Sequence, residues 1–136
     1  MAMIKTLGNV IEVEDPEWSA LEAARCLFHG FGDRSRLAIV QHLLTGEHRV
    51  VDLTNHLGLT QGTVSKHLAC LRDCGVAVMR SEGRASVYSL AQPDATRALL
   101  VAAENLLALT GDAVVLCPTF GSTATNHFPE DGTKSR

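Results

Sequence analysis

The chain has 136 residues, 46% of them hydrophobic and only 4% aromatic, with a formal net charge of −3. That length supports one domain with a modest aliphatic core, and no run approaches the roughly 20 apolar residues of a membrane span. The start, "MAMIKTLGNVIEVEDPEW", lacks a charged-then-apolar signal pattern, so the expectation is a cytoplasmic protein with no membrane partner, its four cysteines reduced and available for metal or redox chemistry.

Divided by position, the charge is uneven. Residues 34–90 hold seven basic and four acidic side chains, while the remainder holds five basic and eleven acidic. The middle of the chain is therefore the part suited to meet phosphate, although so small an excess only permits nucleic-acid binding.

Residues 1–15 have mixed polarity and no clear period, and read as a loose N-terminal arm. Asp15-Pro16 opens a first helix, on which Ala20, Ala24, Leu27, Phe28 and Phe31 share one face. Asp33 caps a second helix, "RSRLAIVQHLL", which Gly46 ends, and "VVDLTNHLG" is a short third helix stopped at Gly58. Thr60 is a sound N-cap for a fourth helix running to Cys74, with Gly75 at its C-terminal left-handed position. "VAVMRSEGRASVYSL" reads as a hairpin turning at Glu82-Gly83-Arg84. Pro93-Asp94 starts the last helix, which runs to about Leu109 and is apolar nearly all round, so it calls for a second surface such as a partner subunit. The domain thus spans residues 16–110. A C-terminal tail, 111–136, follows, and its polar end "GSTATNHFPEDGTKSR" is expected to be disordered.

Three helices, a reading helix, a hairpin and a final helix make a winged helix–turn–helix, mainly α with a small β-hairpin (α+β), here homodimeric. The blocks "GDRSRLAIV", "LGLTQGTVSKHLACLRDCGV" and "GRASVYSL", in that order, resemble the ArsR/SmtB family of dimeric bacterial repressors. The resemblance extends over roughly residues 20–110 and implies binding to inverted-repeat operator DNA.

On a helical wheel Val64, Leu68 and Leu71 form the buried side of the fourth helix, leaving its start for base edges. Gln61 suits adenine, Ser65 meets either kind of edge group, and Lys66 serves guanine or phosphate. Thr60 and Thr63 touch phosphate or simply cap the helix. Arg80 and Arg84 flank the wing tip and are placed to reach backbone or minor groove, whereas Tyr88 packs the base of the wing.

Cys70 and Cys74 lie four residues apart on one stripe of that helix, which brings their Cβ atoms to about 5–6 Å and lets both sulfurs take one ion. Cys117, just past the last helix, is the third donor. Three thiolates without a carboxylate select soft ions, Cd(II) or Pb(II) ahead of As(III), while Zn(II) would want a fourth ligand such as His67. Small apolar filler is the competing use of such cysteines. The pattern also resembles the cadmium/lead sensors of the CmtR type within the family, which implies that the tail cysteine comes from the other subunit. Cys26 and His29, three apart on the first helix, read as packing, and His42, His48, His56 and His127 show no partner set.

The reading is a homodimeric repressor released from its operator by a soft metal. Its alternative keeps the fold and senses oxidants or persulfides, with Cys70 or Cys74 oxidised against Cys117. An enzyme is not indicated, because no nucleophile, base and orienting group fall together. A dimeric protein-interaction module without a DNA role is the third possibility.

Overall fold

Three short polar side chains set the main helix starts. Asp15 Oδ1 accepts the amide of Glu17 at 3.0 Å, Asp33 Oδ1 that of Arg36 at 3.0 Å, and Thr60 Oγ1 that of Thr63 at 3.3 Å, each satisfying a donor that the first helical turn leaves open. The computed structural model describes residues 15–118 together with the backbone of 4–7 and 10–13. In chain order its elements are β1 (Ile4–Leu7), β2 (Val10–Val13), α1 (Pro16–Phe31), α2 (Arg34–Leu44), β3 (His48–Arg49), α3 (Val50–Leu57), α4 (Gln61–Asp73), β4 (Ala77–Glu82), β5 (Ala85–Leu90) and α5 (Pro93–Leu109). No helix among the described residues is long and apolar enough to cross a membrane.

The helix–turn–helix is α3 and α4, and the wing is the β4–β5 hairpin, in which Ala77 pairs with Leu90 and Glu82 with Ala85. Gly75, at φ 77°, provides the left-handed turn that releases the chain from α4 into β4. Behind the wing, β3 pairs antiparallel with β5, His48 opposite Tyr88 and Arg49 opposite Val87. A strand of two residues is too short to leave a periodic signal, and the sequence did not suggest it.

The core follows the wheel. Val64, Leu68 and Leu71 of α4 are fully buried against Ile39, Val40 and Leu43 of α2 and Leu53 of α3. Val76, Ala77, Tyr88 and Leu90 close it from the wing, and Leu100 from α5. Truncating Leu68 to alanine would cost about 2–5 kcal/mol, the usual range for a buried leucine. This packing fixes the direction of α4, and therefore what its first turn presents.

Two stretches depart from expectation. Residues 1–15, expected as a loose arm, contain an antiparallel hairpin with Ile4 opposite Val13 and Leu7 opposite Val10. Two short runs rich in β-branched residues flank Gly8-Asn9 there, which is a recognised two-residue hairpin signal. On α1, only Leu27 and Phe31 of the proposed apolar face pack against the core, while Phe28 stays 62% exposed. The expected disorder of residues 121–136 falls outside the described residues.

Candidate functional site

The residues expected to meet DNA lie on the surface of the fourth helix and its N-cap. Thr60, Gln61, Thr63, Ser65 and Lys66 are all exposed at the start of α4. Thr60 and Thr63 are occupied with each other, Thr60 Oγ1 lying 2.9 Å from Thr63 Oγ1 as well as capping its amide. Gln61, Ser65 and Lys66 make no side-chain hydrogen bond among the described residues. The wing arginines differ from one another. Arg80 is held by Glu47 at 2.6 Å and Glu82 at 3.1 Å, so its charge is already answered within the protein. Arg84 sits exposed in the turn with no ion pair among the described residues.

The thiols are arranged differently from what spacing alone suggests. Cys26 of α1 brings its Sγ to 3.1 Å from Cys74 Sγ, and the Cys74 thiol also donates to the Cys26 carbonyl at 2.9 Å. This closeness depends on Gly30, the one buried residue of α1, where a Cβ would stand 3.3 Å from Cys74 Sγ. Burial first, then the neighbouring Cys26 and Cys70 thiols, push Cys74 up to about 12. Cys74 is therefore held protonated in the free protein, and an incoming ion must displace that proton.

Cys117 does not join this cluster within one chain. Glu104 accepts the amides of Leu116 at 2.6 Å and Cys117 at 2.9 Å, while Gln41 Nε2 donates to the Leu116 carbonyl at 2.8 Å. The two amides hold the Glu104 carboxyl below its ordinary value. The Cys117 thiol lies half-buried near the Arg97 carbonyl, 3.8 Å away, raised by burial and by the Glu104 charge. The tail segment is docked on α5 and α2, not reaching outward. His67 is likewise engaged elsewhere, beside Asp33 at 3.9 Å and Arg36 at 3.4 Å. His29 is exposed and brings no ring nitrogen to the thiols.

Sequence reasoning missed Cys26 as a neighbour of Cys74 because the two are 48 residues apart. The only signal was a small residue, Gly30, one turn beyond Cys26 on the same helix. A cleft of about 350 Å³ opens beside Cys74, lined by Leu27 and Phe31 of α1 and by Ala95, Thr96 and Leu99 of α5. Elsewhere α1 and α5 carry exposed apolar side chains: Trp18, Leu21, Phe28, Val101, Leu106 and Leu109.

A winged helix–turn–helix whose reading helix presents an open polar start is the frame of a DNA-binding regulator. Residues 33–77 match the family described as bacterial regulatory protein, arsR family. The chain is 35% identical over 106 residues to a probable mercury resistance operon repressor of Streptomyces lividans, covering 75% of this chain and 84% of that one. It is 41% identical over 86 residues to the HTH-type transcriptional regulator CmtR of Mycobacterium tuberculosis, covering 63% of this chain and 73% of the relative. In three dimensions it is similar to a homodimeric winged helix–turn–helix DNA-binding domain from Mycobacterium bovis, described as a possible ArsR-family regulator. That similarity has a TM-score of 0.61 at 26% identity and covers 70% of this chain and 92% of the other. The chain belongs to the arsR family of bacterial regulatory proteins. Its relatives are transcriptional regulators and not enzymes.

Proposed function

We propose that the protein is a homodimeric transcriptional repressor that leaves its operator when a soft heavy-metal ion binds its thiols. The observation that carries this reading is the 3.1 Å approach of Cys26 and Cys74, with Cys70 one turn back on the reading helix itself. The donor set fits such an ion: thiolates alone, no carboxylate, in a half-buried pocket that excludes hard cations by ligand type. Cys26 and Cys74 would hold it, Cys70 would have to move in from one turn back because the three sulfurs do not all stand within 4.8 Å of one another, and Cys117 would come across the dimer as the family resemblance implies. Bound there, the ion supplies a cross-link between thiolates of α1 and α4. Cadmium and lead are the ions the sequence favours, and kinship to a probable mercury resistance repressor adds mercury.

The chain's own residues supply the rest. Gln61, Ser65 and Lys66 read base edges and Arg84 touches phosphate or minor groove. The exposed faces of α1 and α5 pair two copies, whose two reading helices then match an inverted repeat. Because α1 lies in that pairing surface and α4 reads DNA, fixing Cys26 to Cys70 and Cys74 sets the angle of the reading helix against the dimer. A coupling of about 1–3 kcal/mol is typical of such linkage and suffices to shift operator occupancy. In this scheme residues 16–110 bind DNA and dimerise, and 111–136 contribute Cys117.

The test is an anaerobic titration of the operator-bound dimer with cadmium, lead, mercury and zinc. Sulfur-to-metal charge-transfer absorption should grow in step with DNA release, and release without that absorption would refute the reading. The 3.1 Å approach also favours a second reading, in which an oxidant such as hydrogen peroxide takes two electrons and two protons from Cys26 and Cys74 to leave a disulfide. In that case peroxide alone releases DNA, and mass spectrometry finds the Cys26–Cys74 bridge.

A further inference from the structure

Three histidines that the sequence left without partners converge. His42 comes from the last turn of α2, His48 from β3 and His56 from the last turn of α3. One ring nitrogen from each lies within 4.8 Å of the others. The His42 and His56 rings stack with centroids 5.1 Å apart, and His48 meets both edge-on at 5.9 Å. Among the described residues none of the three is in an ion pair. The nearest acid in sequence, Glu47, is taken by Arg80.

Three imidazoles packed together without a carboxylate offer a set of nitrogen donors only. Burial, then His56 and His48, hold His42 below its ordinary value. His48 is oriented further: its Nδ1–H donates to the Gly46 carbonyl at 2.9 Å, leaving Nε2 as the nitrogen with the lone pair. A hydrogen bond from the second ring nitrogen to a carbonyl is the usual support of a metal-bound histidine. A three-histidine set with zinc–nitrogen bonds of about 2.0–2.1 Å needs all three nitrogens aimed at one point. His56 is exposed and His42 half-buried, so rotation of their rings is the adjustment that binding would call for.

We propose that His42, His48 and His56 form a second metal site, separate from the thiols, for a borderline divalent ion of the zinc class. Imidazole donors favour zinc, nickel, cobalt or copper over both hard ions and the soft ions that suit thiolates. The site joins three elements. β3 is paired with wing strand β5, α3 opens the helix–turn–helix and α2 lies beneath both. Occupancy therefore staples the wing to the reading unit, without involving α1 or the tail.

The test uses the untagged full-length chain and its Cys70→Ser/Cys74→Ser variant, titrated with cobalt(II) and then with zinc against a chromophoric chelator. The thiol variant should bind about one ion per chain, with tetrahedral cobalt bands and no sulfur charge transfer, and zinc should raise its thermal midpoint. His56→Gln, at an exposed position that leaves the fold intact, should weaken zinc binding by about tenfold or more and abolish the stabilisation. His42→Gln should do the same. If the thiol variant binds neither ion, or if His56→Gln binds zinc as tightly as its parent, the site does not exist.

Discussion

Cys26 on α1 and Cys74 at the end of α4 stand with their sulfurs 3.1 Å apart, joining a helix that carries exposed apolar side chains to the second helix of the helix–turn–helix. By spacing alone Cys26 reads as packing. The geometry instead predicts that Cys26→Ser lowers cadmium affinity about as steeply as Cys74→Ser, since a hydroxyl is a poor ligand for soft ions. Competition titration with a chelator measures this, and an unchanged affinity for Cys26→Ser would remove α1 from the site.

Gly30 sets that approach. In Gly30→Val the new Cβ would stand 3.3 Å from Cys74 Sγ and two further methyls would have to find room beside it. Overpacking of this kind costs about 1–3 kcal/mol. A urea midpoint below wild type, together with weakened cadmium binding, is the expected pairing. Full metal affinity in a destabilised variant would show that the thiols do not need this close fit.

The two wing arginines should separate. Arg84→Ala should shallow the dependence of operator affinity on salt by about one unit for each phosphate that the side chain neutralises in the wild type. Arg80, neutralised by Glu47 and Glu82, should change that slope much less. Lys66→Ala should behave like Arg84→Ala. Equal slopes for Arg80→Ala and Arg84→Ala would mean that the Glu47 pair opens on DNA.

Leu106 is 64% exposed on α5 and makes no part of the chain's own core. Leu106→Glu should therefore leave the fold intact while placing a charge in the pairing surface. Sedimentation should find a monomer, and circular dichroism should find it folded. A dimer of undiminished stability would move the interface elsewhere.

Cys74 also predicts a pH dependence. Its folded pKa, about 12, lies above the ordinary 9.0, so the folded state holds the proton more tightly than the unfolded chain. The stability this contributes is complete below pH 9.0 and is lost as pH rises toward about 12. Denaturation of the reduced, metal-free protein across that window should show the decline, and Cys74→Ala should flatten it. His42 acts in the opposite sense: lowered from 6.5, it makes stability fall as pH drops below that value.

What could be read from the chain was local. Asp15, Asp33 and Thr60 mark helix starts because capping is decided within three residues, and Val64, Leu68 and Leu71 mark a buried stripe because the helical period exposes it. The wing and the final helix followed for the same reason. Meetings between distant parts of the chain were not legible. Cys26 reaches Cys74 only once folding brings α1 beside the end of α4, and His42, His48 and His56 share no helical spacing, lying on three different elements. The pairing of Arg80 with Glu47, 33 residues away, gives no sign in the sequence either. Nothing in "VVLCPTFG" announces that Glu104 will hold the amide of Cys117.

That clamp has a mechanical consequence. Glu104 makes Cys117 a rider on α5, while Cys70 and Cys74 ride on α4. A ligand shared between the two positions would act as a gauge block between interface and reading head, and the carboxylate of Glu104 would be its stop. Loosening the stop with Glu104→Gln would keep the thiols but blur the length being gauged, so metal could still bind while its message to the DNA grows faint.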